Sequence, residues 1–512
     1  MHPDADFDVA CQLPPQAAEL SQDLGLDILC GSMAKDDRLI FDLSKRALLS
    51  GLTNPPAISY RQQILRDCLG NPQVVNLLYE IAADAVEAER KVWGLYSGSP
   101  QSILSRGLEA TRTLLGYLRQ LRQVGDEHAS SFSSPGFRRF FQMTSDELDD
   151  GYLATVEDQL DRLRFRRGAL LSAKLAEGLT AGQIVLRSPR AQGLIQRLNV
   201  LGRSGFSFEV PVRDDGGLRV LDNLRARGIN CVANALAQSA EHIRGFFTML
   251  RNELAFYVGC TNLYEQLSEM GLPSCFPEAL PASKTALSAR GVYDVCLVLR
   301  NGGRAVGNDV EAGGKLLLMM TGANQGGKST LLRALGLAQL MLQSGMFVPA
   351  LSFRANVCGG VFTHFKREED ATMTSGKFDE ELRRMSEIFD QIRPTCLLLC
   401  NESFASTNER EGSEVALEVV RAMTDAQVKV VFVTHLFELA RRLWTERSRA
   451  CLFLRAERLA DGTRTFRLVE GEPLPTSYGE DAYWQVFGPV PAALSGPPRA
   501  GPRRLNESRV RS

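Results

Sequence analysis

Two hydrophobic periods divide the chain. Up to about residue 275, apolar residues recur three and four apart, the spacing of one helix face; beyond it, short apolar runs alternate with such helical stretches. In the first part the pattern predicts a helix over 40–52, a stop at Asn54-Pro55-Pro56 and a new helix over 58–69. It predicts a third over 101–124, with Leu104, Leu108, Leu114, Leu115, Leu118 and Leu121 on its inner face. Residues 126–150, rich in Ser, Pro and Gly, read as a surface connection. Alternation at Phe206, Phe208, Val210 and Val212 before Asp214-Asp215-Gly216-Gly217 reads as a short β-excursion closed by a turn. A long helix is predicted over about 230–271, with Ile243, Phe247, Leu250, Leu254 and Val258 on one stripe. In the second part, strands are predicted at 316–320, 396–400 and 428–434, and helices at 328–344, 411–424 and 436–444. The expected fold class is multidomain: an all-α core and lever, then an α/β domain with a mostly parallel sheet. The expected divisions are an acidic tail at 1–20, a helical core at 21–275 with a lever- or clamp-like excursion at about 130–225, the α/β domain at 276–488, and a Pro/Arg-rich disordered tail at 489–512.

Composition changes this picture little. The chain of 512 residues carries a net charge of −1, so it is no polycation, and any nucleic-acid surface must be a local patch. Such a patch exists in the sequence. Between 160 and 205, Arg162, Arg164, Arg166, Arg167, Lys174, Arg187, Arg190, Arg197 and Arg203 face only Asp161 and Glu177. No apolar run approaches the roughly 18 residues of a membrane span. The first thirty residues hold acids and no Lys or Arg, unlike a signal or transit peptide. The expected location is the cytoplasm, the nucleoid included. The 11 cysteines show no C-x-x-C and the 5 histidines no metal-ligand spacing, so a structural zinc is not expected.

The chemistry concentrates after residue 315. The apolar run at Leu316–Met320 breaks into Gly322, Ala323, Asn324, Gln325, Gly326 and Gly327, and Lys328, Ser329 and Thr330 open a helix. This is G-x-x-x-x-G-K-S in its strand–loop–helix context, the phosphate-binding loop of nucleoside triphosphatases. Its glycines turn backbone N–H groups toward a phosphate, Lys328 reaches the β- and γ-phosphates, and the Ser329 hydroxyl can ligate Mg²⁺. A second apolar run ends in Asn401-Glu402. Asn401 is placed to help hold Mg²⁺ through water, though an amide brings no negative charge; Glu402 is placed as the base that polarises the attacking water. A third run delivers His435 at its C-terminal end, where ligands of open α/β sheets sit. Thr374-Ser-Gly-Lys-Phe378, ahead of Asp379, Glu380 and Glu381, reads as another anion-ready helix start.

These residues, in this order, resemble the MutS family of DNA mismatch-repair ATPases. The resemblance runs through Thr321–Thr330, Gly345–Ala350, Val361–Thr363, Ser375–Phe378, Asn401–Thr407 with Gly412, Thr434–Glu438 and Ser477–Gly479. Leu52–Pro56 with Arg61-Gln62 is similar to the start of the family's core domain. The resemblance implies an ABC-type ATPase that works as a homodimer. Each nucleotide is held between one subunit's P-loop and the other's signature segment, here Ser375 and Gly376. It implies a DNA partner met through the 160–205 region, including Arg164, Arg166, Arg167 and Arg190, and ATP and Mg²⁺ as cofactors. The chain opens almost directly on the core, so the family's mismatch-recognition and connector domains are not expected.

The expected function is therefore DNA-associated ATP hydrolysis that controls a DNA clamp, with Lys328, Glu402 and His435 as catalytic groups and Ser329 and Asn401 at the metal. The alternative is a nucleotide-gated, dimerising module for branched or structured nucleic acid that hydrolyses slowly or not at all. An ABC transporter ATPase is a poor fit, for the chain has no Leu-Ser-Gly-Gly-Gln stretch.

Overall fold

The computed structural model describes residues 3–93, 99–165, 168–175, 181–187, 209–211, 213–367, 376–446, 449–459 and 463–474. The chain divides into two compact units: residues 1–284, 294–305 and 336–357 form the first, and residues 285–293, 306–335 and 358–512 the second.

The first unit is helix-rich. Its helices are α1 (Ala17–Leu24), α2 (Leu26–Ala34), α3 (Arg38–Leu49), α4 (Pro55–Gly70), α5 (Pro72–Val92), α6 (Pro100–His128), α7 (Pro135–Glu147), α8 (Asp150–Arg162), α9 (Asp215–Glu269) and α10 (Val295–Asn301). At about 1.5 Å per residue, the 55 residues of α9 span about 80 Å. Its C-terminal half is buried at Phe247, Leu250, Leu254 and Val258, the predicted stripe, and it packs on α2, α3, α4, α5 and α6. The unit is not all-α. A hairpin, β1 (Leu170–Leu175) with β2 (Ala181–Arg187), packs on α9, and β3 (Glu278–Leu280) pairs in parallel with β7 (Ser352–Asn356). Gly228 makes room for the hairpin: a Cβ there would stand 2.4 Å from Leu171 Cδ2.

Four local readings change. Pro55 and Pro56 do not only end one helix; they are the first residues of the next, where a missing N–H costs nothing. The Ser/Pro/Gly stretch at 126–150 is no surface connection. Ser134 caps α7 by accepting from Phe137 N–H, and Phe132, Phe137 and Phe141 are buried together. Likewise Asp214 is the cap of α9, accepting from Gly217 N–H, so the Asp-Gly cluster starts a helix where a turn was expected. Within the acidic segment expected as a tail, Phe7 is buried, its N–H donates to Glu253 Oε1 at 2.5 Å, and α1 already begins at Ala17. Residues 188–208, with Arg190, Phe206 and Phe208 among them, lie outside the described residues, as do Arg166, Arg167, Val212, 477–479 and the 489–512 tail.

The second unit holds a six-stranded sheet in the order β12-β11-β6-β10-β9-β8. Its strands are β6 (Leu317–Thr321), β8 (Val361–Phe365), β9 (Leu397–Asn401), β10 (Lys429–Val433), β11 (Cys451–Arg458) and β12 (Arg464–Glu470). All neighbours are parallel except β11 with β12. A separate antiparallel pair joins β4 (Leu287–Val292) to β5 (Asn308–Glu311). The helices are α11 (Lys328–Gln343), within which the division between units falls, α12 (Lys377–Gln391), α13 (Glu409–Asp425) and α14 (Phe437–Thr445). Leu317, Met319, Leu398, Val430 and Phe432 of the strands meet Met385, Ile388, Ala416, Val420, Leu439 and Leu443 of the helices in one core. Strands with five buried positions in a row, as in β6 and β10, belong to a parallel sheet covered on both faces. Among the described residues no helix is long and apolar enough to cross a membrane.

Candidate nucleotide site

The site grows from the C-terminal ends of β6, β9 and β10. Parallel pairing sets Val433 beside Asn401 and Val433 beside Met320, so the loops after all three strands leave the sheet at one edge. That edge is the ligand edge of open α/β folds.

After β6 the chain turns through Gly322 (φ 106°), Gln325 (φ 57°) and Gly327 (φ 91°) into α11. Side chains would not fit at the glycines. A Cβ on Gly326 would meet Ala456 Cβ at 2.5 Å, and one on Gly327 would meet Phe466 O at 2.9 Å. The β11–β12 hairpin therefore presses on the loop from outside. Asn324 and Gln325 are exposed, Thr330 is half-buried, and Arg464 of β12 donates to Gln325 Oε1 at 2.8 Å.

Lys328 is buried at 4% exposure, and its Nζ donates to the carbonyls of Gly322 (2.8 Å) and Ala323 (2.7 Å). Burial pulls its pKa down to about 8, against the attraction of Glu402; Arg464 adds to the depression. A desolvated ammonium resting on two loop carbonyls is a cation without a matching anion, which a phosphate would supply. The next side chain, Ser329, donates its hydroxyl to Asn401 Oδ1 at 2.8 Å, so the two oxygens proposed for a metal stand together. The residues present fit a Mg²⁺-nucleotide: a glycine cradle, a buried lysine, and adjacent hydroxyl and amide oxygens.

Glu402 takes a left-handed backbone (φ 55°), held by its N–H donating to Val433 O at 2.9 Å. Such a conformation in a non-glycine residue costs energy and marks loops kept for their geometry. It brings Glu402 Oε1 to 2.9 Å from His435 Nε2. That hydrogen bond, with the charges of Lys366 and Lys328, lowers the Glu402 pKa despite partial burial. Thr434 steadies the same loop by accepting from Leu436 N–H at 2.9 Å.

Of the signature pair, Ser375 lies outside the described residues. Gly376 is the residue before α12; among the described residues, a Cβ there would meet Asp379 Oδ2 within 4 Å and no atom of the P-loop. The structure thus joins Lys328, Ser329, Asn401, Glu402 and His435.

Sequence reading missed a second cluster beneath the site. His364, fully buried on β8, shares hydrogen bonds with Ser403 Oγ (2.7 Å) and with Glu381 O of α12 (3.0 Å), and stacks on Phe404. Ser403 donates to His364 O, Ser406 to Glu381 Oε1, and Arg384 to Phe365 O. Burial and then Arg384 push the His364 pKa down to about 4. Burial raises Glu381. The cluster ties the loop carrying Glu402 to the helix that follows Gly376. Only the residue types hinted at it; the partners are 17 and 39 residues from His364, and no local pattern signals that pairing.

Comparison with known proteins finds two family models that match the chain. Residues 53–270 match the family model "MutS2 N-terminal domain", and residues 318–489 match "MutS domain V". The chain is 25% identical over 383 residues to "Endonuclease MutS2" of Geobacillus kaustophilus, covering 67% of this chain and 47% of that protein. It is 35% identical over 138 residues to "Endonuclease MutS2" of Lacticaseibacillus casei, covering 27% and 18%. It is 34% identical over 130 residues to "DNA mismatch repair protein MutS" of Clostridium botulinum, covering 25% and 14%. In each case the match spans less than half of the relative's own length. With both matched regions pointing one way, and with a P-loop ATPase domain at the C-terminal side, the chain belongs to the MutS family.

Proposed function

We propose that this chain is a DNA-associated ATPase that binds and hydrolyses Mg-ATP and couples nucleotide state to DNA binding. The carrying observation is the Glu402–His435 pair, 2.9 Å apart, at the sheet edge that also holds buried Lys328 and the Ser329–Asn401 contact. In this reading Gly322, Ala323, Asn324, Gln325, Gly326 and Gly327 wrap the phosphates with backbone N–H groups, and Thr330 closes the first turn of α11. Lys328 exchanges its two carbonyl partners for phosphate oxygens. Ser329 and Asn401 would hold Mg²⁺, which would supply charge neutralisation on the phosphates. Glu402, kept ionised by His435 and the nearby lysines, accepts a proton from water; His435 fixes the carboxylate and meets the γ-phosphate.

The site is half of a composite. Gly376 stands apart from its own P-loop, which supports a homodimer in which a second copy brings Ser375 and Gly376 to the nucleotide. DNA is read as the partner of the basic region. Among its described members, Arg162 and Arg164 stand within 4 Å of Asp158 and Asp161, and Arg187 Nε donates to Ser172 Oγ. Exposed pairs of this kind are worth little, so phosphates can replace them. The word endonuclease in the names of two relatives is said of those proteins.

A second reading has one observation in its favour. Asn401 gives the metal position no charge, which supports a module gated by nucleotide but slow to hydrolyse it. Steady-state ATPase assays with and without homoduplex, mismatched and branched DNA separate the two. DNA-responsive turnover is expected; nucleotide binding with no turnover under any DNA favours the second reading. Lys328→Ala should abolish nucleotide binding in both.

A further inference from the structure

Away from the nucleotide site, in the first unit, a cavity of about 430 Å³ opens between the start of α6, the turn after α8 and the N-terminal part of α9. Its volume suits a small ligand such as a nucleotide. Three guanidiniums line it, from Arg112, Arg164 and Arg225, against a single lining carboxylate, Glu109. Arg112 and Arg164 share one exposed partner, Asp161, at 2.7 and 3.9 Å. Arg225 differs: its Nε is enclosed and has no hydrogen-bond partner among the described residues. An enclosed donor without an acceptor costs on the order of 1–3 kcal/mol, and a native protein keeps one where something else accepts from it.

Phe165, in the turn after α8, adds an aromatic ring to the lining and has a left-handed backbone (φ 47°), which a bulky side chain adopts only under constraint. The turn is held by Phe165 N–H donating to Arg162 O and Gly168 N–H donating to Phe165 O at 2.8 Å. Leu104 and Leu108 of α6 supply an apolar floor. The lining thus combines charged donors with an aromatic ring and aliphatic carbons.

We propose that this cavity binds a phosphomonoester carrying a planar base: the phosphate taken by Arg225 with Arg112 and Arg164, the base set against Phe165 and the leucines. With Asp161 counted beside Glu109, guanidiniums still exceed carboxylates by one, and Arg binds phosphate oxygens through paired N–H donors. Aromatic faces stack any base, so the pocket is selective for the phosphate and tolerant of the base. The ligand is either a free 5′-mononucleotide or the 5′-phosphorylated end of a nucleic acid strand. The inference rests on no part of the ATPase reading, and its failure would leave that reading untouched.

The test uses the full chain with its P-loop filled by a non-hydrolysable ATP analogue and Mg²⁺. Calorimetry compares dTMP with thymidine; anisotropy compares one short oligonucleotide with a 5′-phosphate and with a 5′-hydroxyl. The expectation is that dTMP binds about tenfold or more tighter than thymidine. Arg225→Gln should cut that difference severalfold while leaving the circular dichroism spectrum, melting temperature and ATPase rate as in wild type. Phe165→Leu should weaken dTMP and thymidine alike. A matching preference for the phosphorylated oligonucleotide assigns the ligand to strand ends; equal oligonucleotide binding beside dTMP selectivity assigns it to free nucleotide. Equal binding of dTMP and thymidine, or selectivity unchanged in folded Arg225→Gln, overturns the proposal.

Discussion

Lys328 is a lysine stripped of most of its water, and two loop carbonyls replace that water poorly. Its pKa of about 8 follows, and a phosphate beside it would raise that value again. Below pH 8 the ammonium is already formed. Above it, binding must take up a proton, so nucleotide affinity should fall by up to about tenfold per pH unit as pH rises from 8. Titrating a fluorescent ATP analogue between pH 7 and 9.5 measures this; a flat profile contradicts the role of Lys328. His364 gives a second pH signature. Its folded pKa of about 4 lies below the ordinary 6.5, so the unfolded chain takes up the proton first. The stability this residue contributes is complete above 6.5 and is lost as pH falls toward 4, by about 2 kcal/mol at pH 5. His364→Gln should flatten the slope of stability against pH in chemical unfolding of the second unit; an unchanged slope would place the proton elsewhere. At this scale the sequence was most legible where chemistry is local. Lys328 and Ser329 are contiguous with the glycines, and Glu402 and His435 each end an apolar strand. Arg464 and His364 were not legible, because their partners are 139 and 39 residues away and nothing near them in sequence encodes the meeting.

Helices and strands of the second unit were legible because each is a continuous apolar run or a clean stripe. The predicted strand at 428–434 is β10 at Lys429–Val433, and the predicted helix at 436–444 is α14 at Phe437–Thr445. In the first unit, polar starts were mistaken for breaks. Ser134-Pro135 and Asp214-Asp215-Gly216 carry the residues favoured in turns, and those same residues cap helices; only the apolar residues that follow decide between the two. For α7 the deciding residues are Phe137 and Phe141, whose rings meet Phe132 at 4.4 and 5.2 Å. Phe137→Ala should therefore cost about 3–5 kcal/mol and loosen α7 first. Hydrogen exchange resolved by segment reports it, and full protection retained over 135–147 would contradict the packing. At Gly228 of α9 the constraint is steric. Gly228→Val should displace the β1–β2 hairpin and speed exchange over 170–187, with the C-terminal half of α9 unaffected.

Across the whole molecule, net charge is near zero, yet nine basic residues cluster between 160 and 205. If that region meets DNA, binding must weaken with salt, by about 0.9 in log K per log salt for each phosphate contacted. Arg190→Gln should lower that slope by about one and weaken all sequences alike; a slope unchanged in the variant removes Arg190 from the interface. The two matched family regions cover residues 53–270 and 318–489. The central claim is that Glu402, braced by His435, activates water at a P-loop built around Lys328. The most direct measurement is single-turnover Mg-ATP hydrolysis by the full chain carrying Glu402→Gln, beside its ATP affinity. Hydrolysis should fall by about a hundredfold or more while ATP still binds; hydrolysis at the wild-type rate in that variant would contradict the account.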